Sequence, residues 1–160
     1  MDYYQGVVVE YLRADRSVFV NTECFIQIAD GNSPGKGKSW YCDAVAVNLK
    51  TRSVFLCEVS YSKSLFALRN RLTAWNSHWS EIKSSLVRDC GVDETWHVTP
   101  WLFIPQESEH IAKAWYESLA TNPPMPCPKI HALESVAPWK YCAWNRQEKS
   151  DGPGSCTDTQ

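Results

Sequence analysis

WYCDAVAVNLKTRSVFLCEVS, residues 40–60, holds two apolar runs, Trp40 to Val47 and Val54 to Val59, each interrupted by a single carboxylate: Asp43 in the first and Glu58 in the second. A carboxylate among apolar neighbours costs free energy unless it is paired, hydrogen-bonded or neutralised, so both positions need a reason. In an extended chain alternate side chains share a face. Asp43 therefore points with Val45 and Val47, and Glu58 and Ser60 point with Val54 and Leu56. The link Asn48-Leu49-Lys50-Thr51-Arg52 opens with turn chemistry and is long enough to reverse the chain. An antiparallel hairpin that brings the two carboxylates together is the expected result. Converging carboxylates suit a hard divalent cation.

Outward from this hairpin, the pattern predicts an ordered set of elements. Tyr3 to Ala14 reads as a helix with Tyr4, Val7, Val8 and Tyr11 as its apolar stripe and Glu10 at the margin. From that margin Glu10 leans toward the sheet or stays an exposed helical glutamate. Val18 to Ile28 alternates as a half-buried strand, with Val18, Val20, Cys24, Ile26 and Ile28 on one face and Asn21, Glu23 and Gln27 on the other. A glycine-rich loop from Asp30 to Ser39 follows, carrying Lys36 and Lys38. Ser64 to Arg88 reads as one long helix, because Leu65, Leu68, Leu72, Trp75, Trp79, Ile82 and Leu86 repeat at steps of three and four. So regular a seam also suits pairing with a second copy of the chain. Thr95 to Ile104 is the expected fourth strand, with a bulge or an edge position at Pro100, and Pro105 to Leu119 a further helix. Lys129 to Ala137 forms a last short element, and residues 145–160 are a polar tail expected to be disordered, leaving 1–144 as one domain.

Several chemistries are excluded by pattern. His78, His97, His110 and His131 are scattered and make no metal-binding spacing. Gly35-x-Gly37-Lys38-Ser39 lacks the upstream glycine spacing of a phosphate loop and leads into a strand. Ser60, His97 and Asp93 can be drawn as a hydrolase triad, but no nucleophile elbow surrounds Ser60. The seven cysteines include no C-x-x-C pair, and Cys24, Cys42 and Cys57 lie in strand-like runs, which marks them as reduced core thiols. No apolar stretch is long enough for a membrane span and the start of the chain has no signal-peptide pattern, so the expected location is cytoplasmic.

The net charge of −2 argues against indiscriminate binding to nucleic acid, but the charge is unevenly spread. Between Asp30 and Cys90 nine basic residues face five acidic ones, and a cation on Asp43 and Glu58 would make this segment more positive still. Lys36 and Lys38 on the loop, with Arg69 and Arg71 off the helical seam, are the candidate phosphate contacts. Solvated surface charge remains the plainer reading of the same residues. Of the eight tryptophans, Trp40, Trp139 and Trp144 flank loops and are candidates for stacking on unpaired bases.

Asp43, fourteen intervening residues, Glu58, one residue and Ser60, preceded by a helix carrying Glu10, together resemble the PD-(D/E)XK nuclease superfamily over about residues 5–104. The resemblance implies a restriction-endonuclease-like α/β core, a central mixed four-stranded sheet flanked by helices in the order α-β-β-β-α-β-α. It also implies magnesium or manganese held by Asp43 and Glu58, with the Val59 carbonyl as a backbone ligand and Glu10 as an auxiliary carboxylate. Ser60 stands where the family's motif has its lysine. Lys63 is the nearest residue to take that catalytic role, with Gln27 as a polar alternative. The implied activity is metal-dependent hydrolysis of phosphodiester bonds, in DNA ahead of RNA. The alternative, favoured by Ser60, is a catalytically silent module of the same fold that binds nucleic acid or a protein partner.

Overall fold

The computed structural model describes residues 2–28, 39–119 and 123–136. Lys36 and Lys38, Trp139 and Trp144 and the 145–160 tail lie outside them. The chain forms α1 (Tyr3–Arg13), β1 (Val18–Gln27), β2 (Ser39–Asn48), β3 (Ser53–Val59), α2 (Phe66–Ser77), α3 (Trp79–Cys90), β4 (His97–Ile104), α4 (Glu109–Glu117) and β5 (Lys129–Ala132). One mixed, open sheet takes the strands in sequence order, β1-β2-β3-β4-β5. β1, β2 and β3 are antiparallel neighbours, whereas β4 is parallel to β3 and β5 parallel to β4. The sheet thus has five strands where four were expected, because part of the short element after the proline-rich segment extends the sheet beyond β4.

The reversal between β2 and β3 follows from Asn48, which is fully buried and whose Oδ1 accepts from the backbone N–H groups of Lys50 (2.9 Å) and Thr51 (3.1 Å). A side-chain oxygen that caps two turn amides fixes where the chain turns, and so fixes the register of the hairpin. In that register Ala44 pairs with Cys57 and Val45 with Leu56. The ladder ends at that first pair, which leaves Asp43 and Glu58 at the adjacent positions just beyond it.

Two apolar layers hold the sheet. On one face α1 packs through Val8, Tyr11 and Leu12 onto Ala44, Ala46, Cys57, Trp101 and Phe103. On the other face Leu68, Leu72, Trp75, Trp79, Ile82 and Leu86 of α2 and α3 cover Val45, Val54, Leu56, Leu102 and Ile104. The crossover from β3 to the parallel β4 runs through α2 and α3, as a parallel connection requires. No helix among the described residues is long and apolar enough to cross a membrane.

Four sequence expectations change in physical detail. The seam of residues 64–88 is buried throughout, from Leu65 to Leu86, yet it belongs to two helices separated at His78 (φ −125°, ψ 25°). Near this break the hydroxyls of Thr73 and Ser77 donate back to the carbonyls of Arg69 and Thr73, a pattern that bends helices. In α1 the buried stripe is Val8, Val9, Tyr11 and Leu12, so the helix is rotated from the expected Tyr4–Tyr11 face and Tyr4 is exposed. In β1, Val18 and Val20 lie in the α1 layer, but Cys24, Ile26 and Ile28 lie in the opposite one. Glu23, with φ at +50°, interrupts the alternation between them. β2 turns over at the same level: Cys42 and Ala44 lie in opposite layers, with Asp43 between them. Finally, Pro100 sits in unbroken register with Leu56, one residue before the stretch that β5 covers. It therefore occupies a position where β4 has only one neighbour, the edge-like setting that a missing N–H tolerates.

Candidate active site

Asp43 and Glu58 meet in a cleft of about 340 Å³ at the end of β3, lined also by Gln5, Val59, Ser60, Tyr61, Ser62, Ala67, Leu68 and Arg71. The hairpin brings them together as the sequence leads one to expect, and each is held by a different layer. Asp43, at the point where β2 turns over, accepts from the Val59 N–H through Oδ2 (2.7 Å) and from Gln5 Nε2 of α1 through Oδ1 (2.8 Å). Glu58 faces the opposite layer, where the guanidinium of Arg71 on α2 donates to its Oε2 in a close ion pair.

The electrostatics of this pair are unusual for a surface cleft. Glu58 is 1 % exposed, and its Oε1 is buried without a hydrogen-bond donor among the described residues. Burial, reinforced by the neighbouring Asp43, pushes its pKa up to about 8, and the opposing pull of Arg71 does not cancel this. Asp43 is also raised by burial, with the Val59 amide, Arg71 and Gln5 pulling it back. Two carboxylates so placed share their protons and titrate as a pair. A proton or a cation would satisfy Glu58 Oε1, and an acceptor left bare in the interior costs its full desolvation. The orphaned oxygen, the facing Asp43 and the adjacent Val59 backbone form a donor set of hard oxygens that fits a magnesium or manganese ion. The flanking thiols do not contribute. Burial pushes Cys42 and Cys57 far up, so both stay protonated. Among the described residues no group of three or more His, Cys, Asp or Glu side chains gathers around a common point.

The structure does not bring Glu10, Lys63 or Gln27 into this cleft. Glu10 is exposed and pairs with Arg13 (3.3 Å). It lines a separate groove between α1 and β1 with Tyr3, Gly6 and Thr22. The rotation of α1 explains this, because a residue one position before Tyr11 lies away from the buried stripe. Gln5 takes the place expected for Glu10. It precedes Val8, Val9 and Leu12 by three, four and seven residues, the helical spacing that would have identified it. Its amide is used at both ends, since Oε1 accepts from the Asp2 N–H (2.9 Å) in a capping box while Nε2 holds Asp43.

Lys63 is also displaced. Its side chain is 85 % exposed and pairs with Glu107 across 3.2 Å, outside the cleft, because the chain has already left the sheet at Val59. Gln27 lies at the far end of β1 and does not line the cleft either. The cation that does reach the carboxylates is Arg71, which sequence reasoning had set aside for phosphate. Arg69, one of the other phosphate candidates, has its Nε buried without a partner. Ser60, at the motif's lysine position, lines the cleft, donates its N–H to the Phe103 carbonyl (3.0 Å) and accepts from the Ser62 N–H (3.4 Å). Replacing Lys63 with alanine should therefore leave any activity of the cleft within about twofold. An exposed ion pair of this kind is worth less than about 1 kcal/mol. A steady-state rate comparison checks this, and a large loss would place Lys63 in the cleft during turnover.

No protein-family model, no curated protein and no solved structure matches this chain.

Proposed function

We propose that the cleft is the active site of a divalent-cation-dependent nuclease, built on a restriction-endonuclease-like core, that hydrolyses phosphodiester bonds in DNA or RNA. One observation carries the reading: Glu58 and Asp43, on neighbouring strands, meet in one cleft, with Glu58 Oε1 buried and lacking a donor among the described residues. A helix, three antiparallel strands, a helical crossover and a parallel fourth strand support it as the element order that the resembled superfamily implies.

In this reading Asp43, Glu58 and the Val59 carbonyl hold the cation. When bound, it supplies charge neutralisation at the phosphoryl oxygens and an acidified water. The chain's own residues do the rest. Gln5 and the Val59 amide fix the Asp43 carboxylate, so it needs no reorganisation when the substrate arrives. Ala67 and Leu68, in the first turn of α2, turn the positive end of that helix toward the incoming phosphate. Arg71 pairs with Glu58 in the fold, and were a cation to take that carboxylate the guanidinium would be free to reach the phosphate. A guanidinium stays protonated, so Arg71 contributes charge and position and does not act as a base. Hydrolysis forms one P–O bond from water and breaks another; the attacking water gives up a proton to solvent and the leaving oxygen takes one from it.

The test is direct. The full chain with magnesium or manganese should cleave labelled oligonucleotides, and chelation should stop it. Arg71→Ala should lower the rate about a hundredfold, the usual cost of one positioned charge, and Arg71→Lys should recover part of it. Full activity in Arg71→Ala would remove the guanidinium from the chemistry. A second reading rests on that same ion pair. If Arg71 never yields Glu58, the cleft is a silent remnant that binds nucleic acid or a protein. Isothermal titration showing no divalent-cation binding at any pH would favour it.

A further inference from the structure

Tyr61 stands in water at the carboxylate cleft, and a chain of ring contacts runs from it through Tyr4 to Tyr3. Tyr61 lines the cleft and is 60 % exposed, while Tyr4 and Tyr3, in the first turn of α1, are 42 % and 74 % exposed. They are ordered with respect to one another. Tyr4 stacks on Tyr61 with ring centroids 5.1 Å apart and planes 28° from parallel, and Tyr3 meets Tyr4 edge-on at 5.5 Å. The plain explanation is that Tyr4 and Tyr61 tether the start of α1 to the segment after β3. That accounts for the faces they turn to each other, but not for the ring surface left in water.

We propose that the Tyr61–Tyr4 stack is a platform for unpaired nucleobases, so that the cleft acts on single-stranded nucleic acid or on the unpaired ends and flaps of a duplex. The inference rests on the nuclease reading of the cleft. Tyr61 shares the cleft with Asp43 and Glu58, so a strand whose phosphate lies at the carboxylates presents a neighbouring base to the open tyrosine face. Stacking on an aromatic ring accepts any base, because every base has a π-face, and this gives affinity without sequence preference. A base inside a duplex is already stacked and paired, and extracting it costs a few kcal/mol that an unpaired base does not spend. The described surroundings also favour stacking over electrostatic wrapping. Lys63, just beyond the cleft, is engaged by Glu107 and so is drawn away from a continuous duplex backbone.

The experiment compares a short oligothymidylate, its abasic sugar-phosphate counterpart and a blunt duplex, by fluorescence anisotropy on the full chain with calcium in place of magnesium. Wild type should bind the thymidylate strand roughly tenfold or more tightly than the abasic strand. Tyr61→Ala and Tyr4→Ala should bring the two to the same weak affinity, whereas Tyr61→Phe should retain the preference, since the ring and not the hydroxyl makes the platform. All are surface substitutions, and a circular dichroism spectrum shows whether the fold is kept. Equal binding of thymidylate and abasic strands by wild type would overturn the inference. So would an equal loss on both strands in Tyr61→Ala, which would mark a backbone contact. A wild type that cleaves blunt duplex as fast as single strand overturns the inference and leaves the nuclease reading standing. A wild type that binds and cleaves no polynucleotide at all removes both.

Discussion

Asp43→Ala should reduce magnesium-dependent cleavage by on the order of a thousandfold, because the cation's contribution to neutralising the transferring phosphoryl group is worth several kcal/mol and is lost with its ligand. Asp43 is the better of the two carboxylates for this test. Its oxygens are already fixed by Gln5 and by the Val59 amide, so the wild-type geometry is known at both. Removing it leaves the Val59 N–H without its acceptor, at a cost of about 1–3 kcal/mol. That cost is offset by relief of the repulsion that Asp43 exerts on Glu58. The melting temperature should thus fall by only a few degrees while the rate collapses, and the two measurements together separate a catalytic role from a structural one. Gln5→Ala should behave as a weaker copy, since it removes only one of the two groups that hold Asp43. Identical rates for wild type and Asp43→Ala would trace the activity to a contaminant.

The carboxylate pair was legible from the sequence for a simple reason. Asp43 and Glu58 break apolar runs, and Asn48 marks the turn that aligns them, so period-two alternation and one turn signal suffice. The buried seam from Leu65 to Leu86 was legible on the same grounds, although its division at His78 was not. A bend costs little periodicity, since both helices keep the same face inward. What stayed hidden depends on rotation and on tertiary reach. The rotation of α1 by part of a turn moved Glu10 out and Gln5 in, because Val7, Val8 and Val9 offer a continuous apolar run with no unique stripe. The change of face at Glu23 and Asp43 leaves only a faint mark in β1, where Thr22 interrupts the series Val18, Val20, Cys24 and Ile26 and a single polar residue passes for ordinary strand composition. Arg71 lies thirteen residues beyond Glu58, on another element, and local spacing points to Lys63 first.

The pH dependence of stability gives the sharpest test of the pair in the absence of any cation. The ordinary pKa of a glutamate, 4.5, describes Glu58 in the unfolded chain, and burial raises it to about 8 in the fold. Between these values the folded protein holds a proton that the unfolded chain has released. Stability falls wherever the native state binds more protons than the unfolded one, so the contribution of Glu58 is fully present below about pH 4.5 and is lost as pH rises through about 8. In a chelating buffer the wild type should therefore lose stability steadily across this window. Glu58→Gln should remove that slope. Its amide oxygen can accept from Arg71, and its NH2 can donate toward Asp43, so a neutral side chain meets both neighbours without a buried charge. At pH 8.5 this variant should unfold at a higher denaturant concentration than the wild type, and near pH 5 the two should converge. The cation acts on the same equilibrium from the other side. Because it competes with the proton, its affinity for the wild type should rise by about tenfold per pH unit as pH approaches 8, with a proton released on binding. Magnesium should then restore at high pH the stability that deprotonation removes, and should do nothing for Glu58→Gln. A wild type whose stability is flat from pH 5 to 8.5 would mean that Arg71 keeps Glu58 ionised throughout, and the cleft would then hold a permanent ion pair in place of an exchangeable proton.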